Sequence, residues 1–144
     1  MVDSRQKGQR GEYLVRDLLR EATGIKFERV PASGALSYLK GDIYIPNAKN
    51  KFCIEVKNYE KSPISDKVFT NKTNYLVVWW EKIQYQAEAQ EQEPLLFVKY
   101  SRSKVFVVTK QQPTNTRYMQ LSWMNCYVML AEEWIKNEKV DFNG

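Results

Sequence analysis

Histidine is absent from the sequence altogether. That removes the common zinc sites, the Ser-His-Asp triad and any histidine general base. Cysteine is nearly absent too. Cys53 and Cys126 each sit inside an apolar run that reads as a strand, which fits reduced core thiols better than a disulfide and suits a cytoplasmic protein. No apolar stretch approaches ~20 residues and no signal-peptide pattern opens the chain, so a soluble protein with no membrane partner is expected. Internal repeats and low-complexity segments are missing as well.

What is present is one domain's worth of chain: 144 residues, of which 43% are hydrophobic and 13% aromatic, enough for a core. Lys and Arg total 22 against 17 acids, an excess that favours a polyanionic partner. The charges are segregated. Lys99, Arg102, Lys104 and Lys110 fall in a stretch without an acid, whereas Glu81 to Glu93 carries four acids against Lys82. This suits a protein with one face for phosphate and another for solvent.

Two short motifs, Gly41-Asp42-Ile43 and Phe52-Cys53-Ile54-Glu55-Val56-Lys57, stand a hairpin's length apart. Twelve residues separate Asp42 from Glu55, room for a strand, a turn over Pro46 to Asn50 and a returning strand. Along the second strand Ile54 and Val56 point to one side, and Cys53, Glu55 and Lys57 to the other. Taken alone, Glu55 and Lys57 read as a solvated charge pair on a half-buried strand. With Asp42 opposite, a second reading stands level with it: two carboxylates forming a hard-oxygen site for Mg²⁺ or Mn²⁺, beside an ammonium that orients water or holds a phosphate.

In chain order, residues 1–10 are polar and basic, with Arg5, Lys7 and Arg10 available to phosphates, and residues 1–8 are expected to be a flexible basic arm. Leu14, Val15, Leu18, Leu19 and Ala22 mark a helix from Gln9 to Ala22, ended by Thr23-Gly24. Glu12 lies at the edge of that apolar stripe. It is either an acid favoured by the helix dipole or a carboxylate turned to the rim of a sheet. Ile25 to Val30 reads as a strand, followed by the small-residue loop Pro31-Ala32-Ser33-Gly34-Ala35, a turn or a place where Ser33 comes close to a ligand. Asn58 to Thr73, with Lys61, Lys67 and Lys72, reads as a long irregular connection.

Leu76 to Gln92 is expected to be helical, broken by Pro94. Gln86 lies on or beside its apolar stripe, either satisfying backbone groups or facing a site. Strands are expected at Leu95 to Tyr100, Lys104 to Thr109 and Cys126 to Leu130, with a closing helix from Ala131 to Lys139. The fold class is α/β, a mixed central sheet flanked by helices. The late aromatic and apolar residues Tyr118, Leu121, Trp123, Met124, Tyr127 and Trp134 either complete the core or form an interface.

Lys7-Gly8, Gly11-Glu12, Pro31-Ala32-Ser33-Gly34, Gly41-Asp42, Ile54-Glu55-Val56-Lys57 and Pro94 to Lys99 occur in one order and spacing. That pattern resembles the PD-(D/E)xK nuclease superfamily, and within it the archaeal-type Holliday junction resolvases and their phage relatives. The resemblance covers roughly residues 7 to 110. It implies a restriction-endonuclease-like fold and a Mg²⁺- or Mn²⁺-dependent homodimer that cuts four-way DNA junctions. It further implies that Asp42, Glu55 and the main-chain carbonyl of Val56 ligate the metal and that Glu12 completes or extends the site. Lys57 would position or activate the attacking water, and Ser33 would contact the scissile strand. Gly41 replaces the proline of the superfamily name, a common change harmless to the chemistry. Arg5, Lys7, Arg10, Lys61, Lys67, Lys72, Arg102 and Lys104 are the expected phosphate contacts. The other readings are a restriction-like or flap nuclease, and a DNA-binding relative without catalysis.

Overall fold

A computed structural model describes residues 4–31, 40–70 and 74–144. Ser33 and Lys72 lie outside the described residues. The element order is α1 (Ser4–Thr23), β1 (Glu28–Arg29), β2 (Ile43–Tyr44), β3 (Phe52–Tyr59), α2 (Lys67–Thr70), α3 (Tyr75–Ala89), β4 (Glu93–Tyr100), β5 (Phe106–Thr109), β6 (Met119–Leu121), a 3₁₀ turn, β7 (Cys126–Leu130) and α4 (Ala131–Glu138). Seven strands form one sheet in the order β1-β2-β3-β4-β5-β7-β6. Only β3 and β4 pair in parallel, over eight residues each, and α3 lies in the crossover between them. The remaining neighbours are antiparallel.

The strand alternation read from the sequence holds, and it divides the core in two. Ile54, Val56, Leu95 and Phe97 face Val15 and Leu19 of α1 and Trp134 of α4. Cys53, Leu96 and Val98 face Leu76, Val77, Trp80 and Ile83 of α3. The sheet is therefore buried on both faces near its centre, and a polar side chain on β3 meets solvent only near a strand end or beyond the last residue of a neighbour. Both cysteines are buried and unpaired. Burial pushes each thiol up to about 12, for Cys53 with help from the nearby charges of Glu55 and Asp42.

Several boundaries differ from the sequence reading. The first helix begins at Ser4, so Arg5, Lys7 and Arg10 ride on α1 and are not a flexible arm. Apolar periodicity could not show this, because Gly8 and Gly11 weaken the local helix signal and the turn is held by a tertiary contact. Asn58 Nδ2 donates to the Lys7 carbonyl at 3.0 Å. Gly11 lies directly below; a Cβ there would come within 2.7 Å of Asn58 Cβ, so its absence lets α1 close onto β3. Arg20, near the end of α1, donates to the Phe27 carbonyl and pairs with Glu28. Leu14 is exposed. The 58–73 connection is shorter than expected, since β3 runs on to Tyr59 and α2 occupies Lys67–Thr70. Pro94 does not break α3, which ends at Ala89; it is the second residue of β4, where a missing N–H is tolerated at a strand start.

Candidate active site

Local sequence explains why the hairpin closes where it does. Asn47 takes the left-handed conformation at φ 57°, and the Asn50 side chain accepts from Ile45 N at 2.7 Å while donating to the Ile45 and Ala48 carbonyls. The turn returns the chain so that Ile43 pairs with Ile54. Asp42 is then fixed by three hydrogen bonds. Its N–H donates to Ile54 O at 2.7 Å, its carbonyl accepts from Val30 N at 2.8 Å, and its carboxylate Oδ2 accepts from Val56 N at 2.8 Å. Since N–H and C=O of one strand residue leave by the same edge, the Val56 carbonyl is directed to the Asp42 side of β3.

Gly41 has a backbone role that its place in the motif did not show. Its φ is +87°, and a Cβ would stand 2.6 Å from Ile54 O. Proline, locked near φ −65°, does not fit this backbone, so the glycine is a condition for delivering Asp42 and not a neutral replacement. Gly41→Ala is expected to cost about 2–4 kcal/mol, combining left-handed strain with a backbone clash. Urea unfolding measures it, and a loss below ~0.5 kcal/mol would contradict the close approach.

Glu55 and Lys57 share the α3 face of β3, with Lys57 Nζ 3.5 Å from Glu55 Oε1 and 5.9 Å from the Trp79 ring centroid. Asp42 and Glu55 sit close enough to oppose each other's ionisation. Burial first, then the Glu55 charge, pushes the Asp42 carboxyl up to about 7, against the pull of the Val56 N–H and Lys57. Glu55 is also raised, chiefly by burial, with Lys57 and Lys82 working the other way. Lys82 on α3 is a cation near the site that the sequence reading passed over; its signal was its place one turn beyond Trp79 on the same helix.

Glu12 is near enough to add negative potential at both carboxylates. Its own carboxylate is held by Arg29 of β1, Nε to Oε1 at 3.0 Å, and Arg29 also donates to the Tyr13 hydroxyl. Arg29 was not singled out from sequence. Among the described residues no three acidic or sulfur ligands converge, and Glu12 is tied to its arginine; an ion placed here would have to draw on the Asp42 and Glu55 carboxylates and on backbone carbonyl oxygen.

The cations expected on phosphate distribute unevenly. Arg5, Lys7 and Arg10 are near the end of β3 through the Asn58–Lys7 contact. The Arg102 turn abuts the same end, Ser101 N donating to Glu60 O next to the exposed Lys61, and Lys104 follows it. Lys67 is exposed on α2. Lys99, by contrast, is spent inside the fold, donating to the Tyr100 and Ser103 carbonyls. Gln86 is half-buried on α3, one turn beyond Lys82.

The family model described as "Phage putative PDDEXK endonuclease" matches residues 3–142. The chain belongs to that endonuclease family. It is a nuclease of the PD-(D/E)xK kind, and its substrate is DNA. Protein D14 of Escherichia phage T5 is 36% identical over 154 aligned residues, covering 97% of this chain and 96% of its own. Among solved structures, the Holliday junction resolvase Hjc of the archaeal hyperthermophile Archaeoglobus fulgidus matches at TM-score 0.47 and 18% identity, over 88% of the nuclease and 91% of that chain. Among the described residues no helix is long and apolar enough to cross a membrane.

The raised carboxyls give the nuclease a pH signature. A carboxyl held above its ordinary 3.8 keeps its proton longer in the folded state. Its contribution to stability is therefore whole below about pH 4 and lost as pH rises through about 7. Without divalent cations, Asp42→Asn is expected to be more stable than the wild type at pH 8, by at least ~1 kcal/mol, and about equal at pH 4. Mg²⁺ or Mn²⁺ should raise the wild-type denaturation midpoint at pH 8 and leave the variant's unchanged. Parallel pH profiles for the two proteins would contradict the crowded pair.

Proposed function

We propose that this nuclease is a Mg²⁺- or Mn²⁺-dependent endonuclease that resolves four-way DNA junctions as a homodimer, acting in the cytoplasm, the host's where a phage encodes it. The observation that carries the metal half of the reading is the Asp42–Glu55 pair: two half-buried carboxylates brought together by the β2–β3 hairpin, each held in its protonated form more strongly than a free carboxyl. PD-(D/E)xK nucleases are metal enzymes, and this donor set suits a hard divalent ion. Asp42, Glu55 and the Val56 carbonyl would hold it, with Glu12 modulating the site from beside Arg29. A bound ion supplies Lewis acidity and lowers the pKa of a bound water.

The chain's own residues then divide the work. Lys57, tethered to Glu55, holds a phosphate oxygen or orients the attacking water, and Lys82 adds positive potential on the same side. Arg5, Lys7, Arg10, Lys61, Arg102 and Lys104 hold the DNA backbone beyond the end of β3, with Lys67 and Lys72 as further contacts. Ser33 would contact the scissile strand.

Assembly supports the junction half. Leu121, Met124 and Trp134 complete the core, but Met119 and Trp123 are about half exposed, Tyr118 is 40% exposed, and Phe69 packs on Trp123 while itself 70% exposed. This apolar surface adjoins β6, whose outer edge has no partner strand among the described residues. Two such surfaces related by a two-fold axis would place two sites on strands of like polarity. The test is cleavage of a labelled immobile junction with Mg²⁺, beside duplex, flap and single-strand controls, with light scattering at micromolar concentration. Paired symmetric cuts by a dimer are expected. A protein that stays monomeric on the junction, or prefers flap or duplex, would replace this reading with a flap or restriction-like nuclease.

A further inference from the structure

Two residues beyond Lys57 on the same face of β3 stands Tyr59, and beside it the first turn of α3 brings Tyr75 and Trp79. The three rings are nearly parallel. Tyr59 lies 4.9 Å and 9° from Trp79, Tyr75 5.7 Å and 14° from Trp79, and Tyr59 6.0 Å and 22° from Tyr75. A column of three rings would hold its outer members far beyond 6 Å, so these rings overlap as tiles. Trp79 is buried, whereas Tyr59 is 40% and Tyr75 65% exposed. The two tyrosines thus lie nearly parallel beside a buried indole, 6.0 Å apart, and both reach solvent.

The tyrosines help to bury Trp79, yet each keeps a large part of its own ring in water. Two exposed tyrosine rings held flat carry an energetic cost in water that a partner with its own π-face would relieve. Charge and distance say which partner. Lys57 Nζ stands 5.9 Å from the Trp79 ring centroid and 3.5 Å from Glu55 Oε1, and exposed Lys61 follows Tyr59 by two residues. At ~3.3 Å per residue, Tyr59 is about 13 Å along β3 from Glu55, about one or two nucleotides from a phosphate held at the carboxylates.

We propose that Tyr59 and Tyr75 form a stacking platform for an unpaired nucleobase of the DNA strand bound at the Asp42–Glu55–Lys57 site. A base inside a continuous duplex has both faces covered by its neighbours and cannot lie on such a platform. An unpaired base at a branch, fork or single-stranded arm can, and stacking of this kind does not depend on base identity. The inference rests on the nuclease site argued above and names what that site selects: DNA with unstacked bases near the cut, whichever base is present.

The test uses the full chain carrying Asp42→Asn, so that DNA is bound but not cut. Forked DNA and a single-stranded oligonucleotide carry 2-aminopurine at successive positions around the wild-type cut. Quenching is expected at a position within a few nucleotides of the scissile phosphate, and adding Tyr75→Ala should abolish it. That substitution should weaken single-strand and fork binding roughly five- to fifty-fold while changing uninterrupted duplex binding less than about two-fold. Tyr75→Phe should restore both quenching and affinity, and Tyr59→Ala should repeat the loss. Tyr75 is mostly exposed, so an unchanged thermal midpoint is expected to accompany these effects. Equal weakening on duplex and single strand, or no change in quenching, overturns the platform even while the wild type cuts DNA in Mg²⁺. Failure of the wild type to bind or cut any of these DNAs overturns the nuclease site and the platform together.

Discussion

Asp42→Asn is expected to lower single-turnover DNA cleavage by at least about a thousandfold at saturating Mg²⁺ while leaving DNA affinity at low salt nearly unchanged. Asparagine is the informative choice. Its amide oxygen can keep the 2.8 Å acceptor role toward Val56 N, so the hairpin stays closed and only the charge that attracts a cation is lost. Alanine would remove both and leave a donor unpaired, confusing chemistry with folding. Because the metal-free variant should also be the more stable protein at pH 8, lost activity and gained stability must appear together. Near-wild-type cutting by Asp42→Asn would remove Asp42 from the reaction.

Lys57→Ala is expected to reduce turnover by about a hundredfold or more, with little effect on global stability. The side chain still reaches solvent at 22% exposed and its tie to Glu55 is 3.5 Å long, so loss of the ammonium can be met by protonation of the already raised Glu55 carboxyl. The value of Lys57 lies in position. The same strand alternation that places Ile54 and Val56 in the core delivers the ammonium to the carboxylates, where it can meet a phosphate oxygen or a water. Lys57→Arg should recover only part of the rate, since a planar fork does not reproduce a point charge at that distance. Single-turnover rates within a few-fold of wild type for Lys57→Ala would leave Lys82 as the nearer candidate for that task.

The centre of the site was legible because it depends on local rules. A period of two sorts β3 into faces, and a hairpin of fixed length brings Asp42 beside Glu55, so the residues that meet are close in sequence. Glu12 was legible as a position but not as a partner. Its arginine comes from a two-residue strand seventeen positions away, and no periodic signal marks so short an element. β6 escaped for a similar reason: three residues at a sheet edge, mostly exposed, carry no alternation to detect. Lys82 was passed over because a lysine on a helix near acids reads as solvation until the helix is packed on the sheet. Gly41 shows a different limit. Its place in a motif was clear, but its positive φ and its contact with the β3 backbone exist only once the sheet has formed.

The two sealed thiols give this nuclease an internal clock. A thiolate is the species that alkylates or oxidises, and with both groups pushed up to about 12 and buried in the same core cluster as α3, almost none forms while the fold is closed. Reaction with a thiol reagent is therefore expected to count openings of the core. Cys53 is the more telling of the two. It lies two residues from Glu55 on the same strand face, so the rate at which it is labelled reports how often the carboxylate-bearing strand parts from the helix that covers it.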